Sequence, residues 1–181
     1  LLDAARAVND GELLAYVSIC LFAGLRPDSE MRALTWDSIN LEDAEIRVTE
    51  GKTKTPRTVD LSSNLLQWLL VCDRKKAIYP KGFRRKWAKV RQQAGFKGGV
   101  ARTEKQKEAE KGLKPWGHDQ TRHTAVSNKV RICGDIGKAA TWAGHAVSVC
   151  SRNYLALVSS SDASTFWALA PAPCRAEALT A

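Results

Sequence analysis

The sequence lacks the residue patterns that bind metals or nucleotides or that pair in disulfides. Its five cysteines are scattered and include no C-x-x-C pair; they are Cys20, Cys72, Cys133, Cys150 and Cys174. This spacing argues against a zinc cluster and a disulfide framework, and predicts ordinary thiols in a reducing, cytoplasmic compartment. The sequence has no Gly-rich P-loop, so we expect no cofactor and no metal. It also has no hydrophobic run long enough to span a bilayer.

The first residues carry neither an initiating methionine nor the apolar stretch of a signal peptide. The opening segment LLDAARAVND has charged residues within its first six positions, unlike a secretory leader. A length of 181 residues is typical of one domain. We therefore expect residues 1–181 to be a single domain, cut at a domain boundary from a longer protein.

Acidic residues are fewer than basic ones. The chain has 19 Asp and Glu against 28 Lys and Arg, which gives a formal net charge of +9. Such an excess favours a polyanionic partner, with nucleic acid first and an anionic membrane surface second. A hydrophobic fraction of 44% with six tryptophans indicates a folded chain rather than a disordered one.

The hydrophobic pattern is mostly helical and changes its period once. Helical spacing predicts a helix over residues 9–24 and a short one over residues 29–34. The alternation in AEIRVTEGKTKTPRTVDL predicts an antiparallel hairpin. Amphipathic helices follow at residues 62–77 and 81–96, and a helical series runs over residues 119–157. The expected fold class is α+β, mainly α-helical with a small antiparallel β-sheet.

Residues 97–114, KGGVARTEKQKEAEKGLK, contain almost no large apolar side chain. A segment of this composition cannot bury enough apolar surface to offset the entropy of ordering it. We therefore expect an exposed insertion or loop without regular structure.

Four short motifs resemble the catalytic domain of tyrosine recombinases, the phage-integrase family. They are GLRPDSE at residues 24–30, GKTKTPRTVDL at 51–61, GHDQTRHTAVS at 117–127 and WAGHAVSVCSRNYLALV at 142–158. They occur in the order of the family and at about its spacing, across essentially the whole chain. The final run that ends in Phe-Trp is similar to integrases of bacterial mobile elements, which implies a bacterial or phage gene.

The resemblance implies that a tyrosine hydroxyl cleaves double-stranded DNA. Its attack on a phosphodiester leaves a 3′-phosphotyrosyl link and a free 5′-hydroxyl, and the reverse attack rejoins the strand. Guanidinium groups clamp the two non-bridging oxygens, because they are planar and permanently charged. A cation protonates the departing 5′-oxygen. This chemistry needs neither a metal nor a nucleotide.

Two arginines match the phosphate clamps of the family. Arg26 precedes the Pro-Asp-Ser start of a short helix, where backbone N–H groups favour a phosphate. Arg122 matches the arginine of the family's Leu-Arg-His-Thr box. The family usually has Arg-x-x-Glu at the first clamp, whereas Glu30 follows Arg26 by four residues. This difference indicates a one-residue insertion.

The general acid of the family is a lysine in the hairpin turn. Lys52 matches it, since it follows a glycine ahead of the Arg-x-Val-x-Leu strand. Lys54 is the alternative, because a hairpin register is easily misjudged by two residues.

The family usually places a histidine three residues before the second arginine, and here that position is Asp119. His118 stands one residue further back, and both positions share a helix face with Arg122. Asp119 is also a candidate N-cap of the helix. We predict that Asp119 fills the catalytic position and that His123 braces the helix.

His145 and Tyr154 match the Gly-His box and the nucleophile of the family. Nine residues apart on one straight helix, they would lie on opposite faces, because each step turns about 100°. They converge only if His145 precedes the helix that carries Tyr154. Ser148 is a plausible N-cap for that later start.

The implied partner is double-stranded DNA. The basic residues predicted to contact it are Lys54, Arg57, Arg84, Arg85, Lys86, Lys89 and Arg91. Only part of the 84–91 stretch is expected to face DNA. The apolar residues Phe166, Trp167 and Leu169 suit docking on a neighbouring protomer of a homo-tetramer on DNA, and they could equally fold back on their own domain.

Two other functions stay open. A type IB topoisomerase shares this chemistry, but it works alone, and the apolar tail argues against it. A decayed integrase would hold DNA without cutting it, which only the insertion after Arg26 and the shifted His118 support.

Overall fold

The computed structural model describes residues 1–49, 56–99, 103–154 and 158–172. The helices in these ranges are α1 (Leu2–Ala7), α2 (Leu14–Phe22), α3 (Glu30–Ala33), α4 (Ser63–Leu70), α5 (Phe83–Gln93), α6 (Glu104–Ala109), α7 (Gln120–Cys133), α8 (Ile136–Ala143), α9 (Val147–Tyr154) and α10 (Ser160–Trp167). The strands are β1 (Ile39–Asn40), β2 (Glu45–Val48) and β3 (Arg57–Asp60). The expected fold class, mainly helical with a small antiparallel sheet, is confirmed. Of the helices in these ranges, none has both the length and the apolar character needed to cross a membrane.

Helix α2 forms the centre of the core. All nine of its residues are buried, because the helix is apolar or uncharged around its whole circumference. It packs against α1, α4 and α7. The segment that follows α2 leads directly into the functional site, so this central helix gives the site a rigid base.

The sheet has the strand order β1-β2-β3 and contains the expected hairpin. Ile46 pairs with Val59 and Val48 pairs with Arg57. Ile46, Val48 and Val59 are buried, as the alternation of the sequence predicts. Strand β1 was not predicted, because two residues are too few to show alternation. The hairpin turn at residues 50–55 lies outside the described residues.

Helix α5 attaches to the core through a row of aromatic rings. Phe83 stacks on Tyr79 with ring centroids 4.1 Å apart, and meets Tyr16 of α2 at 4.6 Å. Trp87 continues the row to Trp116, whose ring centroid lies 5.4 Å away. Trp116 stands just before α7, so the row fixes the entry of α7 against α5.

The segment 97–114 is exposed along most of its described part, as expected, but the expected lack of regular structure is wrong there. Thr103 begins α6 with a capping box. The buried Glu110 carboxylate accepts a hydrogen bond from the backbone N–H of Gly98 at 2.7 Å and one from the Gln92 side chain at 3.0 Å. The Gln92 bond anchors the insertion to the C-terminal end of α5, and the Gly98 bond ties the start of the insertion to its end. Composition alone does not reveal either contact.

Helices α7, α8 and α9 enclose a second, smaller cluster of buried residues. Its members are Val126, Ala140, Ala143, Cys150 and Tyr154. Because the alanines have small side chains, α8 packs closely against both α7 and α9. Tyr154 is therefore held within the packing of three helices.

Helix α10 packs on its own domain. The ring centroid of Phe166 lies 5.1 Å from that of Phe22 in α2, and Trp167 Nε1 donates to the Asn128 carbonyl at 3.3 Å. Leu169 stays 43% exposed. Of the two arrangements expected for the apolar tail, the described residues adopt the one that folds back on the domain, because the rings of α2 and the face of α7 accept Phe166 and Trp167.

We predict that Glu110→Ala releases the insertion from α5. The variant loses the acceptor for both anchoring hydrogen bonds, so limited tryptic cleavage within residues 103–111 should quicken roughly tenfold, as is typical of losing one charge-assisted hydrogen bond. The midpoint of thermal unfolding should change little, because the core is untouched.

Glu108→Ala is the matched control, since the exposed Glu108 carboxylate only pairs with Lys111 at 3.4 Å. It should be cleaved at the rate of the parent protein. Equal cleavage of Glu110→Ala and the parent would show that other contacts hold the insertion.

Candidate active site

The centre of the site is a buried carboxylate surrounded by guanidinium groups. The Glu30 side chain is 1% exposed and accepts a hydrogen bond from Arg26 Nη1 at 2.6 Å. Arg57 Nη1 and Nη2 donate to its two oxygens at 2.6 and 3.0 Å. Arg122 Nη1 lies 3.9 Å from Glu30 Oε2. Glu30 thus holds together three arginines from three separate parts of the chain.

The charge of Glu30 depends on these arginines. Burial by itself would raise the pKa of the carboxyl group. Hydrogen bonds from Arg57 and from the backbone N–H of Arg26, with the charges of Arg57 and Arg122, outweigh burial and lower the pKa to about 2. The carboxylate is therefore ionised at neutral pH, and the cluster keeps two positive charges in excess. Such an excess is suited to binding an anion.

The longer spacing between Arg26 and Glu30 does not separate them. The Arg26 backbone N–H donates to Glu30 Oε2 at 2.8 Å, in addition to the side-chain bond. The expected helix start does not aim Arg26, because α3 begins only at Glu30 and has four residues. Glu30 and the carbonyl of Gly144, which accepts from Arg26 Nη2 at 2.7 Å, aim the guanidinium instead.

Arg122 is fixed by backbone carbonyls. Its side chain is 2% exposed, and Nη1 and Nη2 donate to the carbonyls of Gly24 and Ala143. Burial and the nearby charge of Arg26 lower its pKa to about 10, so it stays charged at neutral pH. The structure therefore brings the two predicted clamps, Arg26 and Arg122, into one site.

Gly24 and Gly144 supply two of these carbonyls from left-handed backbone turns, with φ of +60° and +63°. Glycine adopts this conformation without steric cost. A Cβ at Gly24 would lie 2.8 Å from the Trp142 ring, and one at Gly144 would lie 3.1 Å from the Arg57 guanidinium. The absence of side chains here allows the close approach that the arginines require.

His145 is a neutral acceptor in this site. Its Nε2 lies 3.0 Å from Arg122 Nη2, and because a guanidinium has only donors, Nε2 accepts and the ring proton is on Nδ1. Burial, followed by the charges of Arg122 and Arg26, lowers the pKa of His145 to about 4. At neutral pH the ring therefore presents its Nδ1–H, which donates to no residue in the described part of the chain.

Tyr154 ends α9 beside two histidines. Its ring centroid lies 5.8 Å from that of His145 and 5.2 Å from that of His123. The residue is 4% exposed. Burial raises the pKa of its hydroxyl, and the charge of Arg122 offsets this only in part. The hydroxyl is therefore protonated at neutral pH.

The expected break between His145 and Tyr154 is confirmed. His145 lies in the turn before α9, which begins at Val147. Ser148 does not cap the helix, because it lies inside the first turn. The Ala146 carbonyl accepts the first backbone hydrogen bonds of α9 instead.

Asp119 and His118 lie at the rim of the cluster. Asp119 precedes α7 with φ of +51°, but its side chain makes no capping hydrogen bond. Its Oδ2 lies 3.5 Å from His118 Nδ1, and within the described ranges no hydrogen bond joins it to Arg122 or Tyr154. Its charge nevertheless helps to raise the pKa of the Tyr154 hydroxyl.

One group of possible metal ligands occurs in the described part of the chain. The ligand atoms of Asp28, His118 and Asp119 all lie within 4.8 Å of one another. Asp28 and His118 are exposed, and Asp28 also pairs with Arg32 at 3.8 Å. These features are typical of a surface charge cluster.

Arg57 is a site residue whose place the sequence analysis missed. It was expected to contact DNA, but its side chain is 15% exposed and is held by Glu30. The alternation of apolar and polar residues in the sequence already indicated an inward-facing Arg57, since it has the same orientation as Val59 in β3 and as Leu61, which follows β3. A charged residue on a buried strand face needs a partner of opposite charge.

Of the basic residues predicted to follow DNA on α5, two are held within the protein. Lys86 pairs with Glu12 at 2.5 Å, and the Arg91 guanidinium lies 5.5 and 5.9 Å from the ring centroids of Trp87 and Trp116. The others have exposed side chains: Arg84, Arg85 and Lys89. Lys52 and Lys54 lie outside the described residues.

We predict that Glu30→Gln destabilises the protein by about 3–5 kcal/mol at pH 7, because it leaves three guanidinium groups without their counter-charge. That of Arg122 is buried, and those of Arg26 and Arg57 are only 15% exposed. The Glu30 pKa of about 2 lies below the unfolded value of about 4.3. The contribution of the Glu30 charge to the free energy of unfolding is therefore complete above about pH 4.3. It is lost as the pH falls toward about 2. Urea unfolding should show that the difference in the free energy of unfolding between parent and variant becomes smaller over this pH range.

Glu42→Gln is the matched control, because Glu42 is exposed. Its effect on the free energy of unfolding should stay within about 0.5 kcal/mol. If Glu30→Gln lowered the free energy of unfolding by the same amount at pH 2.5 and at pH 7, the charge of Glu30 could not be the cause of the destabilisation.

Comparison with known proteins identifies the family. The sequence profile of the Phage integrase family matches residues 1–160. No curated protein sequence matches the chain. The described fold is nevertheless similar to several solved structures.

XerA recombinase superposes with a TM-score of 0.59 at 20% identity, covering 91% of this chain and 60% of that one. The catalytic domain of bacteriophage HP1 integrase superposes with a TM-score of 0.56 at 20% identity, and the match covers 84% of this chain and 79% of that one. The Tn1549 transposon integrase, in complex with a circular intermediate DNA, gives 0.58 at 15% identity, covering 91% and 60%. The chain thus spans about three fifths of the XerA and Tn1549 chains, shares their fold, and belongs to the phage integrase family.

Proposed function

We propose that this chain is the catalytic domain of a site-specific DNA recombinase, which cleaves and rejoins DNA strands through a 3′-phosphotyrosyl intermediate. The observation that carries the proposal is the convergence of Arg26, Arg122, His145 and Tyr154. Residues separated by more than a hundred positions meet around the backbone of Gly24 and the Ala143-Gly144 turn.

The scissile phosphodiester binds to the excess positive charge of the arginine cluster. A phosphodiester carries one negative charge, and its two non-bridging oxygens gain charge during the attack. Arg26 and Arg122 are held by Glu30 and by backbone carbonyls, so little reorganisation is needed at the moment of reaction. Arg57 does not bind the phosphate but keeps Glu30 in place.

His145 supplies a hydrogen bond rather than a proton. Its Nε2 is bonded to Arg122, and its Nδ1–H has no acceptor among the described residues. Because the ring is neutral, it can stabilise the developing charge on a phosphate oxygen without giving up its proton. The low pKa of His145 is thus compatible with a role in the transition state.

Tyr154 is the nucleophile and Lys52 the general acid. The Tyr154 oxygen attacks phosphorus, and the leaving 5′-oxygen takes a proton from Lys52, with Lys54 as the alternative donor. Both lysines precede strand β3 in the sequence, and Arg57 at the start of β3 is bonded to Glu30, which supports a place for one of them near the site. Asp119 acts on Tyr154 through its charge, which favours the protonated hydroxyl until DNA binds.

Double-stranded DNA is the proposed substrate, and the exposed side chains of Arg84, Arg85 and Lys89 are the proposed phosphate contacts on α5.

We also propose that the protein assembles as a tetramer on DNA through its C-terminal segment. Leu169 is 43% exposed, and a second copy would cover it. The few rings that hold α10 in place can be exchanged between identical copies.

A non-cleaving role is not favoured. Its two supports were the insertion after Arg26 and the shifted His118. The first is weakened, because both the backbone and the side chain of Arg26 still bind Glu30.

We predict that Tyr154→Phe abolishes covalent attachment to a suicide DNA substrate that is nicked near the scissile phosphate. The variant keeps the ring and loses only the nucleophilic oxygen, so DNA binding should stay within about threefold of the parent. Denaturing gel electrophoresis detects the adduct.

Tyr79→Phe is the matched control, because the Tyr79 ring stacks on Phe83 away from the site. It should form the adduct normally. An adduct formed by Tyr154→Phe would mean that another residue is the nucleophile.

We predict that Lys52→Ala slows cleavage of ordinary DNA by ~10²–10⁴-fold, the loss typical of removing a general acid. A substrate with sulfur in place of the bridging 5′-oxygen should restore most of this rate, because a thiolate with a conjugate-acid pKa of about 8.5 leaves without protonation. Arg26→Ala and Arg122→Ala should not recover, since they act on the non-bridging oxygens.

Lys54→Ala should behave nearly like the parent on both substrates. If the sulfur-bridged substrate restored the rate of Lys54→Ala rather than that of Lys52→Ala, Lys54 would be the general acid and Lys52 would not. Rescue of neither variant would show that the proton comes from another group.

A further inference from the structure

The attack by Tyr154 requires a group that accepts its proton. The hydroxyl is protonated at neutral pH, because burial raises its pKa. A general base must lie next to Tyr154 and must have a nitrogen or oxygen lone pair that no other group occupies. Four residues of the described ranges lie near the hydroxyl with a side chain that can bind a proton: Cys150, His145, Asp119 and His123. Burial raises the pKa of the Cys150 thiol, so Cys150 keeps its own proton and is not a base. The other three remain.

His145 has no free lone pair. Its Nε2 accepts from Arg122 Nη2 at 3.0 Å, and its Nδ1 carries the ring proton. Taking a second proton would require breaking the bond to Arg122 and placing a positive charge beside Arg122 and Arg26. The lowering of the His145 pKa to about 4 by burial and by these charges reflects the same cost.

Asp119 is turned toward other partners. Its carboxylate lies with His118 and Asp28, at 3.5 Å from His118 Nδ1. It makes no hydrogen bond to Tyr154 in the described structure, and it influences Tyr154 only through its charge. The position that the family usually fills with histidine therefore does not place a base against the nucleophile here.

His123 meets both requirements. It lies on α7, its ring centroid is 5.2 Å from that of Tyr154, and the two planes are inclined by 45°. Neither ring nitrogen bonds another residue of the described ranges, so a lone pair is free. The side chain is exposed, so it can rotate toward the hydroxyl when DNA binds; catalytic hydrogen bonds are often loose before substrate arrives.

The groups that face His123 are compatible with this task. His145 on the turn before α9 is neutral, and Tyr154 on α9 is protonated. Arg122 is adjacent in sequence, but its guanidinium points to the Gly24 and Ala143 carbonyls. Asp119 lies one turn earlier on the same helix, and its carbonyl accepts the His123 backbone N–H at 2.9 Å.

We propose that His123 is the general base of strand cleavage, which rests on the function proposed above. As the Tyr154 oxygen forms its bond to phosphorus, the hydroxyl proton passes to the free nitrogen of His123. The bond from phosphorus to the 5′-oxygen breaks at the same time, and Lys52 protonates that oxygen. In rejoining, His123 returns its proton to the departing tyrosine oxygen. The exposed ring can also exchange the proton with water between the two steps.

The test is the pH dependence of single-turnover adduct formation on the suicide substrate. In the parent, the rate should rise with pH as the base of the reaction loses its proton. His123→Gln should be ~10²–10⁴-fold slower and should lose this rise. His118→Gln, the same change on an exposed ring that is not in contact with Tyr154 in the described structure, should keep it.

Chemical rescue separates proton transfer from packing. Added imidazole should restore part of the activity of His123→Ala in proportion to its neutral form, whereas Tyr154→Phe should not respond. The sulfur-bridged substrate should leave His123→Ala slow, because it removes the need for an acid and not for a base. DNA affinity and thermal stability should match the parent, since the ring is exposed.

The possible failures are distinct. A parent protein that forms no adduct would overturn the proposed function itself. A normal adduct in the parent, with the pH rise retained in His123→Gln, would overturn only the role of His123. Loss of the rise in His118→Gln instead would assign the base to His118. A slow His123→Ala that imidazole does not rescue would likewise contradict proton transfer by this ring.

Discussion

A single buried carboxylate allows three arginines to share one small volume. Arg26, Arg57 and Arg122 come from the loop after α2, from β3 and from α7, and their like charges repel one another. Glu30 binds two of them directly and lies 3.9 Å from the third. The relative positions of the central helix, the sheet and α7 at the site all depend on this attraction. The fold and the chemistry therefore share the same interaction.

The incomplete neutralisation of the cluster has chemical consequences. Because one carboxylate faces three guanidinium groups, burial and the remaining positive potential together keep His145 neutral. The hydrogen bond from Arg122 to Nε2 fixes its ring proton on Nδ1. The same potential favours a phosphate anion and opposes any additional cation among the buried groups. An acid or a base that must change its charge during the reaction is therefore better placed at the edge, where water can solvate it. The exposed His123 ring has such a position.

The sequence predicted which residues meet but not how they are held. Four motifs placed Arg26, Arg122, His145 and Tyr154 in one site, and alternation placed the hairpin. The partners of these residues were not predictable from the motifs, because they are backbone carbonyls and a carboxylate at an unusual spacing. The order in residues 97–114 and the docking of α10 also depend on single contacts, such as the two bonds of Glu110, which leave almost no compositional signal.

The carbonyls that hold the two clamps belong to the backbone, and this affects how the site responds to mutation. Every residue has a carbonyl oxygen, whatever its side chain. Most amino-acid substitutions around Gly24 and Gly144 therefore leave the hydrogen-bond acceptors of Arg26 and Arg122 in place. The glycines are the exception, because a Cβ at either position would meet the Trp142 ring or the Arg57 guanidinium. Two residues that take no part in the chemistry are thus sensitive to mutation because of the space and the backbone conformation they allow. A catalytic site built in this way can keep its geometry while much of the surrounding sequence diverges.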